Sequence, residues 1–221
     1  MPDPALASTA LPLLVTGAAA LGAALGVVAE ILSRRALPHL AGPPRLANRT
    51  ATALGTGALC ALLAWRFGLS MELAAFMALV IIGVQLARID VIHHLLPNRL
   101  VTSLLGAGLA LLAAASAASG DWGQMVRGIV GTVILFFFYF ILALISPKGI
   151  GMGDVKLSAP LGLYLGYLGW SQLFYGGALG FVAGGVASLV LVLKNRGNKP
   201  QEVAYGPSML AAALAVILLS A

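Results

Sequence analysis

The sequence predicts an all-α fold, a polytopic bundle of about eight membrane helices. Three observations lead there. Only 9% of the 221 residues are charged, against roughly 25% in a soluble domain. The chain is 60% hydrophobic, with a mean hydropathy of +1.00. Its apolar residues also fall into runs near the ~20-residue length that crosses a bilayer. No soluble domain, low-complexity tail or internal repeat stands out, so residues 1–221 are expected to form a single transmembrane domain.

The expected spans are 10–33, 50–67, 71–90, 99–118, 127–146, 156–169, 172–193 and 205–220. The first run lacks a basic segment before it; Asp3 is there instead, and Arg34 and Arg35 follow. A cleaved secretory signal has the opposite polarity, so this run is expected to be a retained span with its N-terminus outside. The sixth span is short and contains Pro160, which predicts a tilted, broken or partly inserted helix. The stretch from Leu157 to Lys194 is too long for one helix, and "GYLGWSQ" (166–172) is the expected turn. If that stretch were counted once, seven spans would be the alternative. Glycines four apart (Gly162 and Gly166; Gly176, Gly180 and Gly184) let helices approach closely. Packing is a sufficient reason for them.

Eleven of the thirteen lysines and arginines flank alternate connections. These are Arg34, Arg35, Arg45 and Arg49 after the first span, and Arg88 and Arg99 after the third. Lys148 and Lys156 follow the fifth, and Lys194, Arg196 and Lys199 the seventh. Arg66 and Arg127 are the exceptions. Cations of short loops stay cytoplasmic, so both termini are expected outside. The same topology accounts for the net charge of +6. No aromatic-interleaved basic patch points to nucleic acid.

Among the seven acidic residues, Asp3, Glu72, Asp121 and Glu202 lie near outer ends or in polar loops, where solvation explains them. Glu30 stands four residues before Arg34, a pairing distance on a helix. Asp90 ends the third span in "QLARIDVIHHLLPNRL", and Asp154 opens the sixth in "GIGMGDVKL". By the charge count both lie at the cytoplasmic boundary. Two carboxylates at one depth can share a proton. One then activates water while the other polarises a carbonyl, as in aspartyl proteolysis. Gly149, Gly151 and Gly153 are expected to supply unusual backbone conformations and a close approach for substrate. The structural alternative pairs Asp90 with Arg88 or Arg99, and Asp154 with Lys148 or Lys156. Helix ends favour ionised Asp154 at an N-terminus and protonated Asp90 at a C-terminus.

The remaining polar candidates are weaker. Adjacent His93 and His94 do not share a helix face and have no third ligand nearby except Asp90, so no metal is expected. His39 is a lone loop histidine. Cys60 is the only cysteine and reads as a small buried apolar residue.

"GMGDVKL", together with the upstream "D…HHLLPN" motif, resembles the prepilin peptidases, the GxGD aspartyl proteases of bacterial membranes. Met71 to Gly169 carry the likeness most clearly, and "VAYGPSMLAAAL" is similar to the family's closing Gly-Pro motif. The resemblance implies catalytic roles for Asp90 and Asp154. It implies cleavage of type IV prepilin or pseudopilin precursors after a basic leader, at the cytoplasmic face of the bacterial membrane, with no cofactor. Gly151, Gly153, Lys156, Pro97 and Asn98 match family positions and are expected to shape the site, with Pro97 ending the helix after Asp90. Larger members carry paired CxxC motifs that bind zinc, and they methylate the new N-terminus. "SRRALPHLAGPPRLANR" has no cysteine, so the chain reads as a short form without that module. A proton-coupled transporter and a non-catalytic subunit of a pilus or secretion assembly are the alternatives from other classes.

Overall fold

The computed structural model describes residues 4–36, 46–146, 149–194 and 205–220. Asp3, His39, Arg45, Lys148, Arg196, Lys199 and Glu202 lie outside the described residues. Within them are eight helices and no strand: α1 (Pro4–Ala36), α2 (Leu46–Phe67), α3 (Leu73–His93), α4 (Asn98–Ser119), α5 (Trp122–Ile145), α6 (Met152–Leu168), α7 (Trp170–Lys194) and α8 (Gly206–Leu219). Each corresponds in order to one expected span, and the α6–α7 turn falls at Gly169, inside the predicted segment. Among the described residues, α1, α3, α4, α5 and α7 have the length and hydropathy to cross a membrane. The chain is thus a polytopic helical membrane protein. Of the others, α2 is less apolar, while α6 has 17 residues and α8 has 14.

Helix packing divides the chain into two compact units, Met1–Gln85 and Leu86–Ala221, with the boundary inside α3. In the first, α1 and α2 meet over small residues. A Cβ on Gly57 would lie 2.8 Å from the carbonyl oxygen of Ala19, and one on Gly22 would lie 2.6 Å from Cys60. Cys60 is fully buried there, as a small apolar residue would be. Glu30 is also buried and takes an ion pair from Arg34 Nε at 2.9 Å. The amide of Gln85 donates to the Gly26 carbonyl at 3.3 Å.

In the second unit α6 is the inner helix, with twelve of its 17 residues buried. It is unbroken through Pro160, so of the three expected outcomes, tilted, broken or partly inserted, a break does not occur. A helix surrounded by protein has to be small where its neighbours are close. Against α5, a Cβ on Gly131 would lie 2.6 Å from the Gly162 carbonyl oxygen, and one on Gly166 would lie 3.1 Å from the Gly131 Cα. Against α4, Gly108 faces the Tyr164 ring, and Ser116 donates to the Tyr167 hydroxyl at 3.2 Å. On α7, Gly176 packs on Leu165 and Gly180 on the Tyr139 hydroxyl and Met209. The glycine stripes therefore serve packing, as their spacing predicts.

The last carbonyls of a buried helix need donors. Arg127 of α5 provides them: its Nε donates to Gly166 O at 2.8 Å, and one Nη donates to Tyr167 O at 2.6 Å and Leu168 O at 3.3 Å. This also explains why Arg127 departs from the alternation of charged loops, since its guanidinium is spent on the end of α6. Arg127→Met should lower unfolding stability in detergent by about 2 kcal/mol, the scale of hydrogen bonds to a charged donor, with Arg127→Lys recovering part of the loss. An unchanged unfolding midpoint would show that water serves these carbonyls equally well.

Candidate active site

Asp90 lies in the last turn of α3 and Asp154 in the first turn of α6, both in the second unit. Each is buried, with 4% and 7% of its surface exposed. α3 reaches His93, and the Asp90 carbonyl accepts from His94 N at 2.8 Å. His94 has φ of +50°, the only positive value at a non-glycine among the described residues. A left-handed residue just past a helix closes its end, so His94 stops α3. Pro97 was expected to do that. It is instead the N-cap of α4, with an extended backbone, because proline is suited to the start of a helix. His93 and His94 are adjacent across this end, and no three His, Cys, Asp or Glu side chains among the described residues are grouped to hold a metal ion.

α6 starts earlier than the sequence suggests, at Met152, with Gly151 as its N-cap. Asp154 is therefore the third helical residue. Its Oδ2 accepts the Gly151 N–H at 3.3 Å, one half of a capping box. Gly149, Gly151 and Gly153 have no positive φ, so the expected unusual backbone is absent. The need for glycine here is room. A Cβ on Gly151 would lie 3.3 Å from Asp154 Oδ2, one on Gly153 would lie 3.1 Å from Leu96 Cβ, and one on Gly149 would lie 2.6 Å from Ser146 Oγ.

Leu96 joins the two halves. It packs on Gly153 beside Asp154, and its Cδ1 would lie 3.4 Å from a Cβ on Gly206, which borders Asp90. The Gly206 N–H donates to Asp90 Oδ2 at 3.1 Å. The two carboxylates are within electrostatic reach of each other. Each thus accepts one backbone N–H, so these contacts do not distinguish the two carboxyls, and α3 continues to His93, three residues past Asp90, which weakens the asymmetry expected from the helix ends. Lys156, a candidate partner for Asp154, instead donates to Asn98 Oδ1 at 3.0 Å, tying the N-terminal part of α6 to the start of α4.

Leu96, Tyr139 and Tyr205 carry no role legible in the sequence, and Gly206 enters it only as the glycine of the closing Gly-Pro motif. Tyr139 is buried, donates to Gly177 O at 3.2 Å and lies in electrostatic reach of Asp154 and Tyr205. The available signal was the glycine before Pro207, a pairing that marks a helix start. Leu96, between Leu95 and Pro97, gave no signal. A separate cavity of about 340 Å³, lined by Tyr175, Leu179, Val216 and Leu219 among others, lies roughly 15–20 Å along α8 from Gly206.

Comparison with known proteins places the chain in a family. Residues 73–192 match the family model of the type IV leader peptidases. The chain is 32% identical over 169 residues to a prepilin leader peptidase/N-methyltransferase of Stutzerimonas stutzeri, covering 75% of this chain and 56% of that one. It is 30% identical over 168 residues to the protein of that name in Bacillus subtilis (strain 168), covering 76% and 64%. With the Pseudomonas aeruginosa protein of the same name the identity is 28% over 155 residues, covering 70% and 52%. The chain therefore spans between about half and two thirds of the length of these relatives. No solved structure matches it. The family match covers more than half of the sequence and takes in both buried aspartates, and the chain belongs to the type IV leader peptidase family.

Proposed function

We propose that this chain, read as one transmembrane domain over residues 1–221, is an aspartic endopeptidase that removes the basic leader from type IV prepilin-like precursors. The observation that supports it best is the pair of buried carboxylates, Asp90 and Asp154, in electrostatic reach across Leu96. Buried carboxyls that close favour sharing one proton. The ionised member takes a proton from water, whose oxygen adds to the scissile carbonyl carbon. The protonated member gives its proton to the carbonyl oxygen. Collapse of the resulting diol breaks the C–N bond, and the departing nitrogen gains a proton. Val91, Ile92, Leu95 and Met152 are exposed beside the aspartates. They suit a substrate whose apolar helix stays in lipid while its basic leader waits at the surface.

The charge count supports placing the site at the cytoplasmic face of a bacterial membrane, with both termini outside. Lys156, Asn98, Pro97, Gly151 and Gly153 shape the site without taking part in bond cleavage.

Asp90→Asn and Asp154→Asn should each lower precursor cleavage by about 10²-fold or more while the protein remains in the membrane. Full cleavage by either purified variant would remove the dyad, and with it the distinction from a transporter or an assembly subunit. Cleavage should also persist in strong chelators, and Cys60→Ala should retain it. Loss on chelation with recovery on adding zinc would mean that His93, His94 and an aspartate do hold a metal. Orientation is tested separately: a single cysteine at Asn98 should label only from the cytoplasmic side and one at Ser119 only from outside. Labelling of Asn98 from outside would reverse the proposed face.

A further inference from the structure

Asp90 is held by a residue 116 positions away in sequence, and that contact has a steric signature. Gly206 is the first helical residue of α8, after the N-cap Tyr205. First-turn N–H groups have no partner within their own helix, and Pro207 has none to offer. The Gly206 N–H is thus available, and it donates to Asp90 Oδ2 at 3.1 Å, with both residues buried. A side chain here would displace the carboxylate: a Cβ on Gly206 would lie 2.6 Å from Asp90 Oδ2 and 3.3 Å from its Cγ. Tyr205 is itself buried, and its ring lies against Gly184 of α7, where a Cβ would overlap it. Gly206 is the glycine of the closing Gly-Pro motif and lies beyond residues 73–192, which the family model matches.

We propose that Gly206 is a positioning residue for Asp90: its N–H fixes one carboxylate oxygen so that the other faces the reacting groups, and Gly184 seats Tyr205 so that this N–H is correctly placed. The catalytic consequence rests on the peptidase reading above. A carboxylate pushed off line costs rate more than binding, because alignment matters most in the transition state.

The contact is tested without relying on activity. The sequence has two Tyr–Gly pairs, Tyr175–Gly176 and Tyr205–Gly206. Labelling tyrosine carbonyl carbon with ¹³C and glycine nitrogen with ¹⁵N therefore isolates two amide signals from the full chain in lipid nanodiscs. Asp90→Ala should move the Gly206 amide proton upfield and leave Gly176 in place. In cleavage assays, Gly206→Ala and Gly184→Ala should each lower kcat about tenfold or more, with KM changed by less than about twofold. Gly176→Ala, equally crowded but against the Leu165 side chain, should keep wild-type kcat. If Gly206→Ala fails to fold, Gly184→Ala carries the kinetic test.

An unmoved Gly206 amide would overturn the contact. A moved amide with wild-type kcat in the folded glycine variants would overturn its positioning role. A wild-type chain that cleaves no precursor would count against the peptidase reading alone, since the amide signal still decides the contact.

Discussion

A carboxylate on a helix that is itself buried is the constraint on which the second unit depends. α6 carries Asp154 and is enclosed over most of its length. Enclosure means its surface has to be small where α5 is close, which accounts for Gly162 and Gly166 facing Gly131. The backbone groups left over at its two ends also find protein partners. At one end Asp154 itself folds back on Gly151, and at the other Arg127 reaches across from α5. One helix thus links the packing stripe, the outlying arginine and the site.

The same constraint explains the glycines before Asp154. Ser146, the carboxylate and Leu96 border the space that a side chain at Gly149, Gly151 and Gly153 in turn would take, while the dihedral angles there are ordinary. The one strained backbone at the site belongs to His94. A left-handed conformation at a residue with a Cβ costs roughly 1 kcal/mol. It is tolerated where it ends α3 one turn after Asp90.

Local features of the sequence were legible, and contacts across it were not. Composition and run length were enough to indicate eight helices, because burial in lipid depends on each segment by itself. Asp90 and Asp154 stood out because carboxylates are rare in such runs. The pairing of Glu30 with Arg34 followed from helix periodicity. The start of α6 was misplaced because "GMGD" reads as loop composition, whereas Gly151 serves as an N-cap. Pro97 opens α4 rather than ending α3, since a proline between two helices is consistent with either. The role of Leu96 was hidden because it is an ordinary leucine, and that of Gly206, visible only as part of a Gly-Pro motif, because it meets Asp90 only through the fold.

α6 offers little surface to lipid, and this affects how the site responds to its surroundings. Lipid-facing helices tilt when bilayer thickness changes. The depth of α6 is set by α5, α4, α7 and α8 rather than by acyl chains. Asp154 therefore keeps its level relative to its protein neighbours across membranes of different thickness, and any adjustment falls on the outer helices.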